Sequence, residues 1–288
     1  PEFTFYAGAL FNLAVTLAFL LAVSTANAPF NTAILVRLVQ LNALTLAVYS
    51  LPWLSIRRRW RSALNESDRR FADYLIKLQL GLAIVLNLAL ILPTLFELVR
   101  VPLSAGVGTV ATGSFLGWLT FVVSVVAVGW FSRSRGVKLS ANVTAALLFG
   151  INCLIAFSVS VPTGWVGVHT LTASTTLTAW LLLAAAELFD LGAKWQSRCR
   201  ELAAASGAIA VFLSLRSLTD AEFSRWWSIG PMLAITALAA TLNWKTLRRR
   251  YIYAAGILFN LAVSLWWLLI LRGVWFAEFV LLNVIAAA

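Results

Sequence analysis

A short stretch of acidic and aromatic residues in the second half of the chain is the first group that could do chemistry. It contains Asp220, Glu222 and Arg225, followed directly by Trp226 and Trp227. A carboxylate beside an apolar surface can serve as a general base, and an integral-membrane glycosyl or lipid transferase could use one. The alternative is a charge-balanced loop without a catalytic role, and the sequence favours that interpretation.

The other residue types that commonly form catalytic or metal sites are few and scattered. The single histidine, His169, closes a predicted turn at 162–169, where we expect a solvated side chain. Cys153 lies within an apolar run and Cys199 in a basic stretch, so they are not expected to pair. Neither cysteine has the ligand spacing of a metal site. The sequence therefore predicts no cofactor and no metal, and it favours a protein without enzymatic activity.

Asparagine recurs near the middle of the apolar segments. A small residue can let helices approach, and an asparagine amide can donate a hydrogen bond to a neighbouring helix. The same amides could instead line a midplane site for a neutral solute or a lipid headgroup. We favour packing, because a ligand site does not need a polar group in every segment. The candidate residues are Asn12, Asn42, Asn87, Asn152, Asn260 and Asn283.

Two of these asparagines lie in a repeated sequence. The stretches 7–17 and 255–265 differ only in the pairs Ala9/Ile257 and Thr16/Ser264. The repeat predicts that one supersecondary unit, a helical hairpin, occurs near both ends of the chain. We expect Asn12 and Asn260 to occupy equivalent places, with the shorter spacing of the second copy absorbed in the turn at 272–275.

The composition decides which kind of protein must position these residues. Of the 288 residues, 61% are hydrophobic and 11% are charged, and the mean hydropathy is +0.89. Soluble domains carry about 25% charged residues. Apolar runs of about 20 residues, the length of a membrane-spanning helix, recur along the chain. The sequence therefore predicts an integral membrane protein.

The apolar runs predict an all-α, polytopic transmembrane bundle with about nine full spans and a truncated tenth. The chain begins and ends in apolar segments, which predicts that it is a fragment of a longer protein. We treat it as a single transmembrane domain, 1–288. The expected hairpins cover about 3–54, 78–131, 141–189, 202–247 and 251–288.

The net charge of +11 is concentrated between the predicted spans. Most of the Lys and Arg residues lie in four stretches on one expected side, at 55–77, 133–138, 194–200 and 245–250. By the positive-inside rule these loops are predicted to be cytoplasmic. Because the charge lies at membrane boundaries, we expect anionic lipid headgroups as partners, and no nucleic acid. The densest candidate contact comprises Arg57, Arg58, Arg59 and Arg61.

These observations predict a function only in outline. The favoured interpretation is a non-enzymatic, membrane-embedded scaffold or sensor module whose partners include further transmembrane segments of the same chain. A transporter or channel for a neutral or lipidic solute would use the asparagines. A transferase would use the acidic stretch before Trp226. A central polar cavity would favour the transporter, and a solid bundle would favour the scaffold.

Overall fold

The computed structural model describes residues 2–27, 29, 31–63, 65–100, 114–135, 141–160, 164–189, 192–220, 226–270 and 276–287. Within these residues the chain forms ten α-helices and one short 3-10 helix, and it contains no strand. The predicted all-α class is therefore confirmed.

In chain order, the described helices are α1 (Glu2–Thr25), α2 (Thr32–Ala63), α3 (Glu66–Arg100), α4 (Phe115–Arg135), α5 (Ala141–Ser160), α6 (Gly164–Leu188), α7 (Gly192–Arg216), α8 (Trp226–Thr246), α9 (Arg249–Ile270) and α10 (Phe276–Ala287). The 3-10 helix Ser217–Thr219 continues directly from α7.

The most basic stretch, predicted as a loop at 55–77, is almost entirely helical. Helix α2 continues to Ala63 and α3 begins at Glu66. Arginine is a good helix former, so a run of arginines does not end a helix. Acidic residues also favour a helix N-terminus, and Glu66 and Asp68 lie in the first turn of α3. The solvent-exposed ion pair of Glu66 with Arg70 spans one turn of this new segment.

Helices α6 and α7 also begin earlier than predicted. Helix α6 starts at Gly164, so His169 lies in a helix and not in a turn. Helix α7 starts at Gly192 and includes Lys194, Arg198 and Arg200, which were predicted to lie in a loop. Pro162 and the glycines indicated a turn at 162–169, but the helix begins two residues after the proline and accommodates Gly167. The stretch at 194–200 was assigned to a loop because it is charged, although it carries no residue that would end a helix.

The chain divides into two compact units, 1–140 and 141–288. In the first unit α2 is central, because α1, α3 and α4 all pack against it. Its apolar core joins α2, α3 and α4 through side chains that include Leu54, Leu80 and Phe131. This packing places the polar side chains of α2 opposite those of its neighbours.

In the second unit, consecutive helices from α5 to α10 pack side by side, and α6 also contacts α8. One core cluster joins α6, α7 and α8 to Tyr251 of α9 through residues such as Leu183, Ala203 and Leu238. A second cluster, around Met232 and Ala262, joins α8 to α9. The group α6–α8 therefore has a shared core.

Six of the described helices are long and apolar enough to cross a membrane, in α1, α2, α3, α6, α7 and α9. Two shorter apolar stretches lie in α4 and α5. Large apolar side chains such as Leu21 and Ile257 are exposed on these helices, as lipid-facing positions would be. The fold is thus compatible with a multi-pass membrane protein, and the count of about nine spans stays a prediction.

Candidate functional site

A buried histidine–carboxylate pair joins α6 to the residue that follows the 3-10 helix. His169 lies in the second turn of α6, and its Nε2 atom is 2.9 Å from Oδ2 of Asp220, just after the 3-10 helix. Only 3% of the His169 side chain and 2% of the Asp220 side chain are exposed. Buried polar groups of this kind require a hydrogen-bonding partner, and here each provides one for the other.

Aromatic rings enclose this pair. The His169 imidazole is stacked between the indoles of Trp165 and Trp227, with centroid distances of 6.2 and 5.1 Å. The Arg216 guanidinium lies 5.1 Å from the Trp165 ring centroid. Helices α6, α7 and α8 therefore meet at one end in a column of stacked planar groups that restricts access to the imidazole.

The sequence indicated Asp220 but missed its partner. The predicted solvated, turn-like environment of His169 is wrong, because the residue is helical and buried. Glu222 and Arg225, the other members of the predicted acidic group, lie outside the described residues. The missed signal is the spacing of Trp165 and His169, one helical turn apart, which places both rings on one face of α6.

The opposite end of α6–α8 carries a second, more exposed ionic junction. Oε1 of Glu187 lies 2.7 Å from an Arg200 Nη atom, and Oε2 lies 3.4 Å from Lys245 Nζ. The carboxylate therefore joins α6 to both α7 and α8. Lys194 is the basic residue nearest to Glu187 in the sequence, but the ion pairs use Arg200 and Lys245.

Asparagines also join the first helix pair, α1–α2. Nδ2 of Asn12 donates to the Thr45 hydroxyl at 2.6 Å and to the Asn42 carbonyl at 3.3 Å. The Thr16 hydroxyl is 3.4 Å from Oδ1 of Asn42, and Nδ2 of Asn42 donates to the Leu38 carbonyl of its own helix at 2.8 Å. Both asparagines are thus used in bonds within or between these two helices.

The last helix pair, α9–α10, has a matching set of bonds. Nδ2 of Asn260 donates to the Asn283 carbonyl at 3.0 Å, and the Ser264 hydroxyl donates to Oδ1 of Asn283 at 2.7 Å. Nδ2 of Asn283 donates one turn back, to the Phe279 carbonyl, at 2.8 Å. Asn260, Ser264 and Asn283 therefore bond as Asn12, Thr16 and Asn42 do.

The two remaining asparagines likewise reach the following helix. Nδ2 of Asn87 in α3 donates to the Ser124 hydroxyl of α4 at 2.9 Å. The Thr178 hydroxyl of α6 donates to Oδ1 of Asn152 in α5 at 3.0 Å. Both asparagines are 2% exposed, so their amides lie inside the packed helices. In α7 the corresponding residue is Ser214, which is fully buried.

The sequence located these asparagines but missed most of their partners. Thr45, Ser124 and Thr178 are hydroxyl residues in apolar helices, where a hydroxyl often bonds only to its own backbone. Their side chains also make such bonds to the preceding turn. Nothing in their own sequence context separated them from the many other Ser and Thr residues of the chain.

The predicted headgroup cluster Arg57, Arg58, Arg59 and Arg61 lies near the end of α2, and its side chains are outside the described set. A different charged feature is described in the second unit: an open groove of about 570 Å³ lined by charged residues of α7 and the start of α9. Asp73 of α3, which the sequence did not single out, is a carboxylate that is only 3% exposed.

The described residues contain no group of three or more His, Cys, Asp or Glu side chains that could hold a metal ion. Cys153 and Cys199 are both free thiols, one buried and one partly exposed. The geometry therefore offers hydrogen-bonded and ionic junctions between helices, and one open charged groove. No family model matches the chain, and neither a curated protein nor a solved structure is significantly similar to it.

Proposed function

We propose that this chain is a multi-pass integral membrane protein built from repeated helical hairpins, acting as a non-enzymatic scaffold or sensor module. The observation that supports this proposal is the use of the asparagine amides. All six candidate asparagines bond to an adjacent helix or to their own backbone. Amides engaged in this way serve helix packing, whereas a solute path would need them to face an open channel.

We also propose an orientation of the chain in the membrane and a set of lipid partners. The basic stretches would face the cytoplasm, following the positive-inside rule. Anionic headgroups would lie against these stretches, including the arginines near the end of α2. The exposed apolar faces of the helices would contact lipid or further transmembrane segments of the same chain.

A replacement at Asn87 tests packing against solute binding. In detergent-purified chain, Asn87→Leu should lower the free energy of unfolding by about 0.5–2 kcal/mol, because a buried interhelical bond is lost. Val85→Leu is the matched control, since Val85 is exposed on the same helix. In sealed liposomes, the wild-type chain should not raise glycerol flux above that of protein-free vesicles. Glycerol flux that depends on Asn87 would favour the transporter instead.

A replacement at Asp220 tests the transferase alternative. Asp220→Ala should lower the free energy of unfolding by about 1–3 kcal/mol, because it leaves the buried His169 without this bond. Glu66→Ala is the control, and it should cost less than about 1 kcal/mol because its ion pair is solvent-exposed. The non-enzymatic proposal would be rejected if the wild-type chain transferred a lipid-linked sugar in vitro and Asp220→Asn abolished that activity without lowering stability.

A further inference from the structure

The charged groove in the second unit is formed by two helices that both pack on α8. Its volume of about 570 Å³ falls within the range of small-molecule sites, about 300–1,000 Å³. Glu201 lines the groove from α7, Arg248 lines it from the residue just before α9, and Arg250 and Tyr251 line it from the first turn of α9. The rest of the lining is alanine, so no long side chain fills the space between these polar groups.

The two walls carry opposite charge. The α7 wall includes Glu201, which carries a carboxylate, and the other wall includes Arg248 and Arg250, which carry guanidinium groups. Arginine is suited to a phosphate because its planar fork can donate two parallel hydrogen bonds. A carboxylate on the facing wall suits a cationic hydrogen-bond donor such as a primary ammonium group. The complementary ligand therefore carries a phosphate and an ammonium group.

One of the arginines is held in position by its neighbour. An Nη atom of Arg250 donates to the Tyr251 hydroxyl at 3.1 Å, and the guanidinium lies 4.8 Å from the Tyr251 ring centroid. Tyr251 itself is only 8% exposed and belongs to the core cluster beneath the groove. A donor that is already oriented loses less entropy when it binds a ligand.

The groove lies next to the last charged residues that precede the apolar part of each helix. Glu201 is the last charged residue of α7 before Arg216, and Arg250 is the last charged residue of α9. Beyond these residues α7 carries no charged residue until Arg216 and α9 carries none to its end, and both helices contain a candidate membrane span. In a chain that spans a membrane, the groove is therefore at the depth of the lipid headgroups.

We propose that this groove binds the headgroup of an amino-phospholipid of the phosphoethanolamine type, with phosphate on Arg248 and Arg250 and ammonium on Glu201. The inference rests on the proposed membrane location and is independent of the scaffold role. A phosphatidylglycerol headgroup has no cation for Glu201. A choline headgroup has no N–H to donate to it. The groove therefore distinguishes headgroups by their hydrogen-bond donors as well as by net charge.

The test uses the full chain purified in detergent and an equimolar mixture of dioleoyl phosphatidylethanolamine, phosphatidylglycerol and phosphatidylcholine. Native mass spectrometry measures which lipid stays bound. The wild type should retain phosphatidylethanolamine over the other two by about tenfold, the effect of one charge-assisted hydrogen bond. Glu201→Gln should remove the preference over phosphatidylglycerol, and Arg248→Gln with Arg250→Gln should weaken binding of phosphatidylethanolamine by at least about tenfold.

Arg249→Gln is the matched control, because Arg249 lies between the two groove arginines and does not line the groove. It should leave the preference unchanged. Equal retention of all three lipids, or a preference that survives Glu201→Gln, would overturn the assignment. Soluble glycerophosphoethanolamine should compete at least about tenfold less well than the lipid. Equal competition would show that the groove binds the free headgroup and does not select a lipid. Resistance of the expressed chain to carbonate extraction from membranes tests the membrane location separately.

Discussion

The first and last helix pairs, α1–α2 and α9–α10, share a sequence and a set of polar bonds but differ at one close contact. A Cβ atom added to Gly8 would lie 2.5 Å from the Tyr49 ring, so α1 approaches α2 closely there. A Cβ atom added to Gly256, the corresponding residue of α9, would meet nothing within 4 Å. The same small residue is thus required for packing in one pair and not in the other.

The difference shows which contacts of the shared stretch depend on residues outside it. The asparagine bonds need only the two helices and their own amides, so they occur in both pairs. The close approach at Gly8 needs a large ring from the partner helix.

The largest expected difference between the pairs is at these glycines. Gly8→Ala should lower the free energy of unfolding by about 1–3 kcal/mol, because the added methyl group overlaps the Tyr49 ring. Gly256→Ala should raise it by about 0.5–1 kcal/mol, because alanine is the better helix former and the space is open. Thermal unfolding in one detergent measures both.

A second replacement identifies the cause of the effect at Gly8. Tyr49→Leu removes the ring, so Gly8→Ala made in that background should cost less than it does in the wild type. If Gly8→Ala and Gly256→Ala change the unfolding midpoint equally, the contrast between the two helix pairs is wrong.

The asparagines should behave alike in the two pairs. Asn12→Leu and Asn260→Leu should each lower the free energy of unfolding by about 0.5–2 kcal/mol, because each removes an amide bond to the next helix. Equilibrium unfolding in mixed micelles compares them directly. A cost confined to one of the two variants would contradict the equivalence that the bonds suggest.

The smallest expected effect is at the hydroxyl that follows each asparagine by one turn. The Ser264 bond to Asn283 is 2.7 Å long, whereas the Thr16 bond to Asn42 is 3.4 Å long. Ser264→Ala should therefore lower the free energy of unfolding by about 0.5–1 kcal/mol, and Thr16→Val by less. The reverse order would mean that hydrogen-bond length does not determine the cost at this position.

The all-α fold and the asparagine positions could be predicted from the sequence because both depend on local patterns. Apolar runs of spanning length predict helices directly, and an asparagine within such a run must find a partner. The turn expected to differ between the two copies, at 272–275, lies outside the described residues. Topology across the membrane, the repeated hairpin and the lipid contacts at Arg57–Arg61 stay predictions.

The remaining features depend on contacts between distant residues, which one sequence does not contain. His169 and Asp220 are far apart in sequence, and the packing of α6, α7 and α8 brings them together. The charged groove similarly requires α7 and α9 to flank α8. Charged stretches were also assigned too readily to loops. An arginine side chain prefers water, but its backbone still forms a helix readily.

The proposed packing function requires that asparagine amides hold neighbouring helices together. A double-mutant cycle on Asn87 and Ser124 tests it most directly, because both partners are side chains, 2% and 1% exposed, joined by a bond of 2.9 Å. Asn87→Leu, Ser124→Ala and the double variant are unfolded from the same detergent, and the coupling energy is taken from the three changes in free energy. A packing function of these amides predicts a favourable coupling of about 0.6–1.7 kcal/mol. Additive changes, with no coupling between the two residues, would contradict it.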